Sequence, residues 1–519
     1  MDPVINMIFR AMAVRLKEVN DKINNISDRI ISDLACRIFF DGLLHPVPSS
    51  TVLKYTVGSN AVEIDNAIEA YWTNTALRQS ATHYFAPLET TILHPVEAVL
   101  ALAKNADGVH LLWTNPQWKG RNQIMTGLED SNIGQMDDEK DCLYLALKCD
   151  GPGRECEAPN LLISGSGELR DRLRWARWRC TEQAGILGES GIPGDDYIEQ
   201  LRQRRSHPEI TLWGYGYFPH EHKEQYDEMF FDLLPGEAGD APRELRQALS
   251  GQKEDFWSQM EPLYWIQIEF DRHIPTGILK SFEYAATNCA IAINSHFQKQ
   301  SFYYHGPGTM AIELQAPARN LYDILCLDDN HGREYENVYA GKKENDCHYI
   351  PRVEGEALKI IVSPPQRGPM PDRFIISYRT SAGEAANGIG EGLINSLYNP
   401  FPGIESVINL TESRGGVDAR SFDEMVASFP QVLRSRNRAI VVSDFQALSK
   451  AFDSRIKSAT ARQGSAVRNG LLTRCVEVEV DLGNYRFSLE EEADLFAARL
   501  ERHLETRSPM GTVVVVKIK

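Results

Sequence analysis

Arg474-Cys475-Val476-Glu477-Val478-Glu479-Val480-Asp481 alternates valine with an acidic residue. Side chains on a strand point to opposite faces in turn, so this octet predicts a half-buried strand with an apolar and a wet face. Downstream, Leu489 to Glu505 has the spacing of an amphipathic helix, with Ser488 as N-cap and Glu491 three residues later. Thr512 to Ile518, with its valine run, predicts a closing strand. Upstream, Ser421 to Leu433 and Ser443 to Ala451 predict two short helices, and Phe374 to Arg379 a strand. The expectation is a small α+β domain over residues 374–519.

Further back the texture changes. Between Thr51 and Phe374, short apolar or alternating runs recur between turn residues. They include Val52 to Val57, His110 to Trp113, Leu143 to Leu147 and Tyr264 to Phe270, and all predict strands. Ile186 to Asp196 and Pro235 to Pro242, rich in glycine and acid, read as loops. Residues 46–373 are therefore expected to form one or two β-rich domains.

The opening of the chain has a different period. Ile5, Phe9, Met12, Leu16, Val19, Ile23, Ile26 and Ile30 follow at alternating spacings of four and three. That 3.5-residue repeat keeps one stripe against a partner helix. It predicts a long helix within residues 1–45, ending before His45-Pro46-Val47-Pro48, because residues ahead of proline avoid the α region. An amphipathic helix on its own domain and a helix bundled with another chain both fit. The expected fold class is thus α+β multidomain: an N-terminal long helix, a β-rich middle and a small α+β C-terminal domain.

The chain has 519 residues, 42% hydrophobic and 24% charged, which suits two to four folded domains. Its net charge of -17 repels a phosphate backbone and argues against bulk nucleic-acid binding. The longest purely apolar run is near Val513 to Val516, too short to span a membrane, and the N-terminus lacks a signal-peptide pattern. A cytoplasmic chain with no membrane span is expected. The nine cysteines show no C-x-x-C pair, against a disulfide framework or a zinc site.

Candidates for chemistry are few. Gly388-Ile389-Gly390-Glu391-Gly392 lacks both the Lys-Ser/Thr of a phosphate loop and the spacing of a dinucleotide fingerprint, and reads as close-packed backbone. His220 and His222 have no third metal ligand at a recognisable spacing, and Cys326 and Cys347-His348 are weaker still. Arg170, Arg172, Arg174, Arg177 and Arg179 interleave with Trp175 and Trp178, which in so acidic a chain reads as an ion-pair surface with packed tryptophans. With no G-x-S-x-G or H-E-x-x-H, no catalytic residue, metal or cofactor is expected.

Two stretches are more specific. Gly415-Gly416-Val417-Asp418-Ala419-Arg420-Ser421, followed by Leu433-Arg434-Ser435-Arg436-Asn437-Arg438-Ala439-Ile440-Val441-Val442-Ser443-Asp444-Phe445, resembles the J-type baseplate family of contractile phage tails. Tyr378-Arg379, Gly383, Asn387 and Gly392 are similar to that family's approach to the motif. Independently, Asp2-Pro3-Val4, the heptad stripe and Phe40-Asp41-Gly42-Leu43-Leu44-His45-Pro46-Val47-Pro48-Ser49 resemble the N-terminus of TssF baseplate subunits of type VI secretion. Thr287 to Asn294 is similar to that family's mid-chain Asn-Cys stretch. The sequence departs from the family at Phe40-Asp41-Gly42, where an aromatic-Pro-His is usual, and residues of about 100–260 match nothing in it.

These resemblances imply a non-catalytic wedge subunit of a contractile injection machine. The N-terminal stripe would join a bundle with a second copy or a related wedge subunit and a smaller wedge subunit. The C-terminal domain would join wedges into a ring around the hub and spike proteins, beside the sheath-initiating baseplate protein. Ring contacts are expected at Gly415, Gly416 and Asp418, and at Arg434, Arg436, Arg438 and Asp444, where arginine forks suit carboxylates and Asp444 suits a helix start. A phage-virion baseplate protein and an enzyme acting on cell-wall glycan are the alternatives.

Overall fold

The computed structural model describes residues 45–519 apart from 75–80, 106–107, 122–140, 151–154, 157–159, 183–185, 188–210, 213–215, 218–228, 233–235, 249–261, 307, 338–346, 355–356, 366–367, 420–437, 454, 469–470, 484, 486, 488–489 and 510–511. The helix expected within residues 1–45, with its stripe from Ile5 to Ile30, lies outside the described residues. So do the helix expected over Ser421 to Leu433 and the N-cap expected at Ser488. Strand dominates what is described, as the β-rich reading anticipates.

The central sheet uses β1 (Ser50–Val57), β2 (Ala70–Asn74), β3 (Ala81–Pro87), β4 (Cys289–Asn294), β5 (Ser396–Leu397) and β6 (Ile404–Asn409). Their order is β5-β2-β3-β4-β1-β6, and the end strands β5 and β6 come back into contact, so the sheet curls toward closure. Leu53, Tyr55, Phe85, Ala290, Ala292 and Val407 fill its interior. β1 is antiparallel to both neighbours: Leu53 stands opposite Ala290 on one edge and Asn409 on the other. Its β-branched and aromatic residues suit a strand buried on both sides.

A second sheet places Val96–Asn105, Cys142–Cys149 and Tyr264–Glu269 side by side. One face packs Ala101, Leu143, Leu145 and Ile266; the other packs Leu102, Tyr144, Ala146 and Trp265. Burial on both faces explains why Leu143 to Leu147 is a continuous apolar run. A third unit sets His296–Tyr303, Arg373–Thr380 and Leu321–Asp329 against Met310–Pro317, Ala357–Ser363 and His348–Glu354. Ile312, Leu327, Ile360, Phe374, Ile376 and Tyr378 share the core between these two sheets.

The chain ends in a unit made of α1 (Val442–Phe452), β7 (Ser458–Arg468), β8 (Leu471–Asp481), α2 (Glu490–Thr506) and β9 (Val513–Ile518), with sheet order β7-β8-β9. Phe496, Leu500 and Leu504, each four residues apart on α2, are fully buried with Val478 and Val480. Each such side chain contributes roughly 1.5–3 kcal/mol. The alternation over Arg474 to Asp481 is a strand, and Thr512 to Ile518 contains β9, which is parallel to β8. β7 is an element that the sequence reading does not anticipate.

The expected start of this domain at residue 374 shifts. Phe374 to Thr380 pairs with His296–Tyr303 and Leu321–Asp329, and β6 pairs with β1, so the chain stays in the earlier sheets at least to Val417. Three other expectations are adjusted. Pro235 to Pro242, expected as loop, contains a short strand, Gly236–Glu237. Ile186 to Asp196 opens with another, Ile186–Leu187, and its remainder lies outside the described residues. The helix expected over Ser443 to Ala451 is α1, which begins one residue earlier and ends one later, with Val441 as its N-cap.

Arg455 is fully buried in the last unit. It meets Asp453 through Nε (2.9 Å) and Nη2 (2.8 Å), and its guanidinium carbon lies 4.7 Å from the Phe496 ring centroid. A planar guanidinium suits both the carboxylate and the ring. Asp453→Ala removes both of these bonds from a buried cation, so chemical denaturation is expected to show a loss of about 3–5 kcal/mol for the C-terminal unit. His503 stands edge-on to Phe452 at 4.8 Å, and burial, helped by the Arg507 and Arg499 charges, lowers its pKa from 6.5 to about 4. The folded unit keeps the neutral ring, so its contribution is complete above pH 6.5 and falls as the pH drops toward 4. His503→Phe keeps the ring packing and is expected to flatten that acid limb in unfolding curves taken across the range.

Candidate functional site

Three of the segments behind the two resemblances, Val47 to Ser49, Thr287 to Asn294 and Arg379 to Asp418, lie far apart in sequence, and the central sheet brings them together. Val47 forms a reciprocal backbone pair with Val417 (both 2.9 Å), and Ser50 does so with Arg414 (2.8 and 3.0 Å). Ser49 Oγ donates to the Ala386 carbonyl at 3.1 Å. The Thr411 hydroxyl accepts from the Val52 amide at 3.0 Å, while Thr51 Oγ1 donates to the Thr411 carbonyl at 2.7 Å. The Pro-Val-Pro-Ser corner is thereby sewn to the strand leading into the Gly-Gly-x-Asp turn.

That turn grips the loop 381–392 in the same way. Asn387 holds Gly416 from both sides, its Nδ2 donating to the carbonyl and its Oδ1 accepting from the amide, each at 2.8 Å. Asp418 Oδ1 accepts from the Glu384 amide at 2.9 Å. A Cβ on Gly416 would sit 2.3 Å from the Gly383 carbonyl oxygen, so only glycine permits this approach. Gly415 holds φ +81°, in the left-handed region that favours glycine. The third island joins through Asn294, whose Oδ1 accepts from the Ala382 amide (2.6 Å) and Ser381 Oγ (3.1 Å), while its backbone amide donates to the Ser49 carbonyl at 2.7 Å. Nearby, Arg379 donates to Ser295 Oγ at 3.1 Å and to the Asn66 carbonyl at 2.7 Å. Burial and the loss of hydration lower its pKa, against the nearby charges of Glu69 and Asp323.

The expected ring contacts therefore separate. Gly416 is buried and Gly415 half-buried in an internal knot, and Asp418, though exposed, is bonded within it. Arg434 and Arg436 lie outside the described residues, and Arg438 is exposed. Asp444 is 8% exposed and turns inward, its Oδ2 accepting from the amides of Ile440 (3.1 Å) and Val441 (2.9 Å) at the start of α1. This ties down a free helix end and favours the negative charge there. It leaves Ile440 (66%) and Val441 (54%) exposed beside Arg438. Sequence reasoning missed Asn294 and Asn387 as organisers; their signal is an amide that can donate and accept at once.

The glycine-rich run is close-packed backbone, as read. The amides of Gly388 and Gly392 donate to the Ser413 and Asn409 carbonyls, and that of Ile389 to Ser413 Oγ. Those donors are engaged and do not point into a phosphate cradle. The arginine run forms ion pairs: Arg179 with Glu269 at 2.8 Å and Arg174 with Asp171 at 3.3 Å. Trp178 stacks on Phe231 at 4.8 Å and donates to the Leu173 carbonyl, whereas Trp175 is exposed. His220 and His222 lie outside the described residues. Among the described residues no group of three or more His, Cys, Asp or Glu could hold a metal, and the six cysteines whose side chains are described form no disulfide. No helix among the described residues is long and apolar enough to cross a membrane.

By fold the chain is a mostly β, multi-sheet protein ending in a compact α+β unit, with a hydrogen-bonded knot joining its distant segments. No protein-family model matches the sequence, and no curated protein does. Among solved structures it is similar to a chain of the type VI secretion system TssK-TssF-TssG baseplate subcomplex, with 12% identity over 99% of this chain and 96% of that one and a TM-score of 0.49. It is similar to a chain of the type VI secretion baseplate complex (13% identity, 100% and 90% covered, TM-score 0.39). A third likeness is to a chain of the anti-feeding prophage baseplate (8% identity, 100% and 67% covered, TM-score 0.30).

The knot makes a direct prediction. Gly416→Val forces the turn away from Gly383, and Asn387→Leu removes both bonds to the buried Gly416. Each is expected to cost about 1–3 kcal/mol. Native-state hydrogen exchange is expected to speed up at Val47, Gly388 and Val417 together.

Proposed function

We propose that this chain is a structural, non-catalytic wedge component of the baseplate of a contractile injection system, of the type VI secretion or phage-tail-like kind. One observation carries the reading. Two sequence resemblances found separately, one that includes the N-terminal corner and the Thr287 to Asn294 island and the other running from Tyr378 to Phe445, meet in a single knot through Val47 to Ser50, Asn294 and the stretch from Arg379 to Asp418. Residues unrelated in function have no reason to meet there; residues that build one scaffold do.

The roles follow from position. The stripe from Ile5 to Ile30 supplies an apolar seam for a helix bundle with a second copy or a sister subunit and a smaller one. The knot holds the central sheet rigid, and the C-terminal unit offers Arg438 and the exposed Ile440 and Val441 to the neighbouring wedge. Hub, spike and sheath-initiating proteins are the further partners, met in the cytoplasm or in a released particle. A ring that stays closed and then opens needs interfaces that two states can share, which favours modest polar contacts over one large apolar one.

The test is co-expression of the tagged full chain with the tail proteins encoded beside it, followed by affinity purification and electron microscopy. A stable complex bearing the chain in a plate at one end of a tube is the expected outcome. A chain that elutes alone as a monomer in the presence of those neighbours ends the proposal. Within the stripe, Leu16→Glu combined with Ile23→Glu is expected to detach the sister subunits while the thermal transition of the remaining chain is unchanged.

A further inference from the structure

Lys54, Glu97 and Asn115 come from three separate elements and meet on one carboxylate oxygen. Lys54 stands near the middle of β1, opposite Cys289 on one neighbouring strand and Ile408 on the other. Glu97 is the second residue of Val96–Asn105, and Asn115 directly follows the strand Gly108–Thr114, both in the second sheet. Glu97 Oε1 accepts from Asn115 Nδ2 at 2.8 Å and pairs with Lys54 Nζ at 3.4 Å. Asn115 is buried, and its carboxamide is gripped from the other side as well, where Oδ1 accepts from the Gln117 amide at 2.9 Å. Its backbone amide donates to the Val99 carbonyl, also at 2.9 Å. The Lys54 side chain is only 22% exposed, so most of its stem is packed and the amine is kept beside Glu97.

An amine, a carboxamide and a carboxylate that touches both are the parts of an amide exchange. We propose that the folded chain joins Lys54 to Asn115 through an isopeptide bond, with Glu97 as the catalytic group. Glu97 takes a proton from the Lys54 ammonium, and the freed amine attacks Asn115 Cγ. The negative charge that develops on Oδ1 meets the Gln117 amide, which already points at that oxygen. Two protons pass from Nζ to Nδ2 by way of Glu97, the Cγ–Nδ2 bond breaks, and the nitrogen departs as ammonium. The Nζ–Cγ bond remains as a secondary amide and Glu97 ends as it began, so the exchange balances without an oxidant or a co-reactant. Fixed neighbours make an otherwise slow reaction intramolecular. Pro116 closes the usual competing route, in which an asparagine cyclises onto the next backbone nitrogen, because proline has no N–H there. The bond would tie β1, and with it the central sheet, to the second sheet, so that a pull separating the two meets a covalent link. The proposal stands on these side chains and takes nothing from the baseplate reading.

The test is the mass of the purified full chain, measured after denaturation and again after prolonged incubation of the folded protein. Wild type is expected to be lighter than its sequence by one ammonia. Proteolysis and tandem mass spectrometry are expected to find one branched species that joins the Lys54 peptide to the Asn115 peptide. Lys54→Arg keeps the charge but not the nucleophile, and Asn115→Ala removes the acyl group; both are expected to show their full sequence mass. Glu97→Gln keeps the shape of the side chain and is expected to slow bond formation about a hundredfold or more. A wild type that keeps its full mass through the incubation overturns the proposal, and this reading does not depend on how well any variant folds. So does an ammonia loss that persists in Lys54→Arg, a link mapped to other residues, or a Glu97→Gln chain that links at the wild-type rate.

Discussion

β1 is hydrogen-bonded along both edges, by β4 on one side and β6 on the other. Neither neighbour is near it in sequence, so the strand has no local substitute for either partner. Everything around it follows from that constraint. The corner before β1 must turn where Val47 meets Val417, and the loop 381–392 must lie where Ser49, Asn294 and Ser413 can bond it. Buried backbone groups that miss their partners cost about 1–3 kcal/mol each, so the knot is held by the penalty for leaving it incomplete.

The polar character of the knot sets it apart from the apolar cores. Hydrophobic contact accepts many near-equivalent packings, whereas a two-way amide such as Asn387 on Gly416 accepts one. Arg455 plays a similar part in the last unit, fixing Asp453, Tyr485, Phe487 and Phe496 around one guanidinium. A buried charge of this kind specifies an arrangement more than it adds stability. The chain thus combines apolar sheets with a few polar anchors that set their relative register.

Local structure is legible where one period dominates. The valine–acid alternation reads directly as β8, and the run Leu143 to Leu147 as a strand whose two faces are both covered. The boundary at residue 374 is misplaced because Phe374 to Arg379 looks the same in sequence whether its partners lie before or after it. β7 escapes notice because Ser458 to Arg468 is small and polar, with no apolar face to announce it. The dipeptide Asn469-Gly470, placed between two strands, is the available signal. At Gly415, Gly416 and Asp418 the residue types are recognisable but their direction is not. A glycine needed for close approach carries no mark of whether the approaching backbone belongs to its own chain.

The knot also has a consequence for synthesis. Thr51 and Thr411, bonded to each other in the finished protein, are separated by 360 residues. At about 5–20 residues per second, β1 waits roughly 20 to 70 s on the ribosome before β6 exists. Throughout that interval it is an apolar strand with an open edge, the kind of segment that chaperones hold. The C-terminal unit, whose contacts are local, is made after β6 and has no such wait. The nascent chain is therefore most exposed around β1, long before the C-terminal unit emerges.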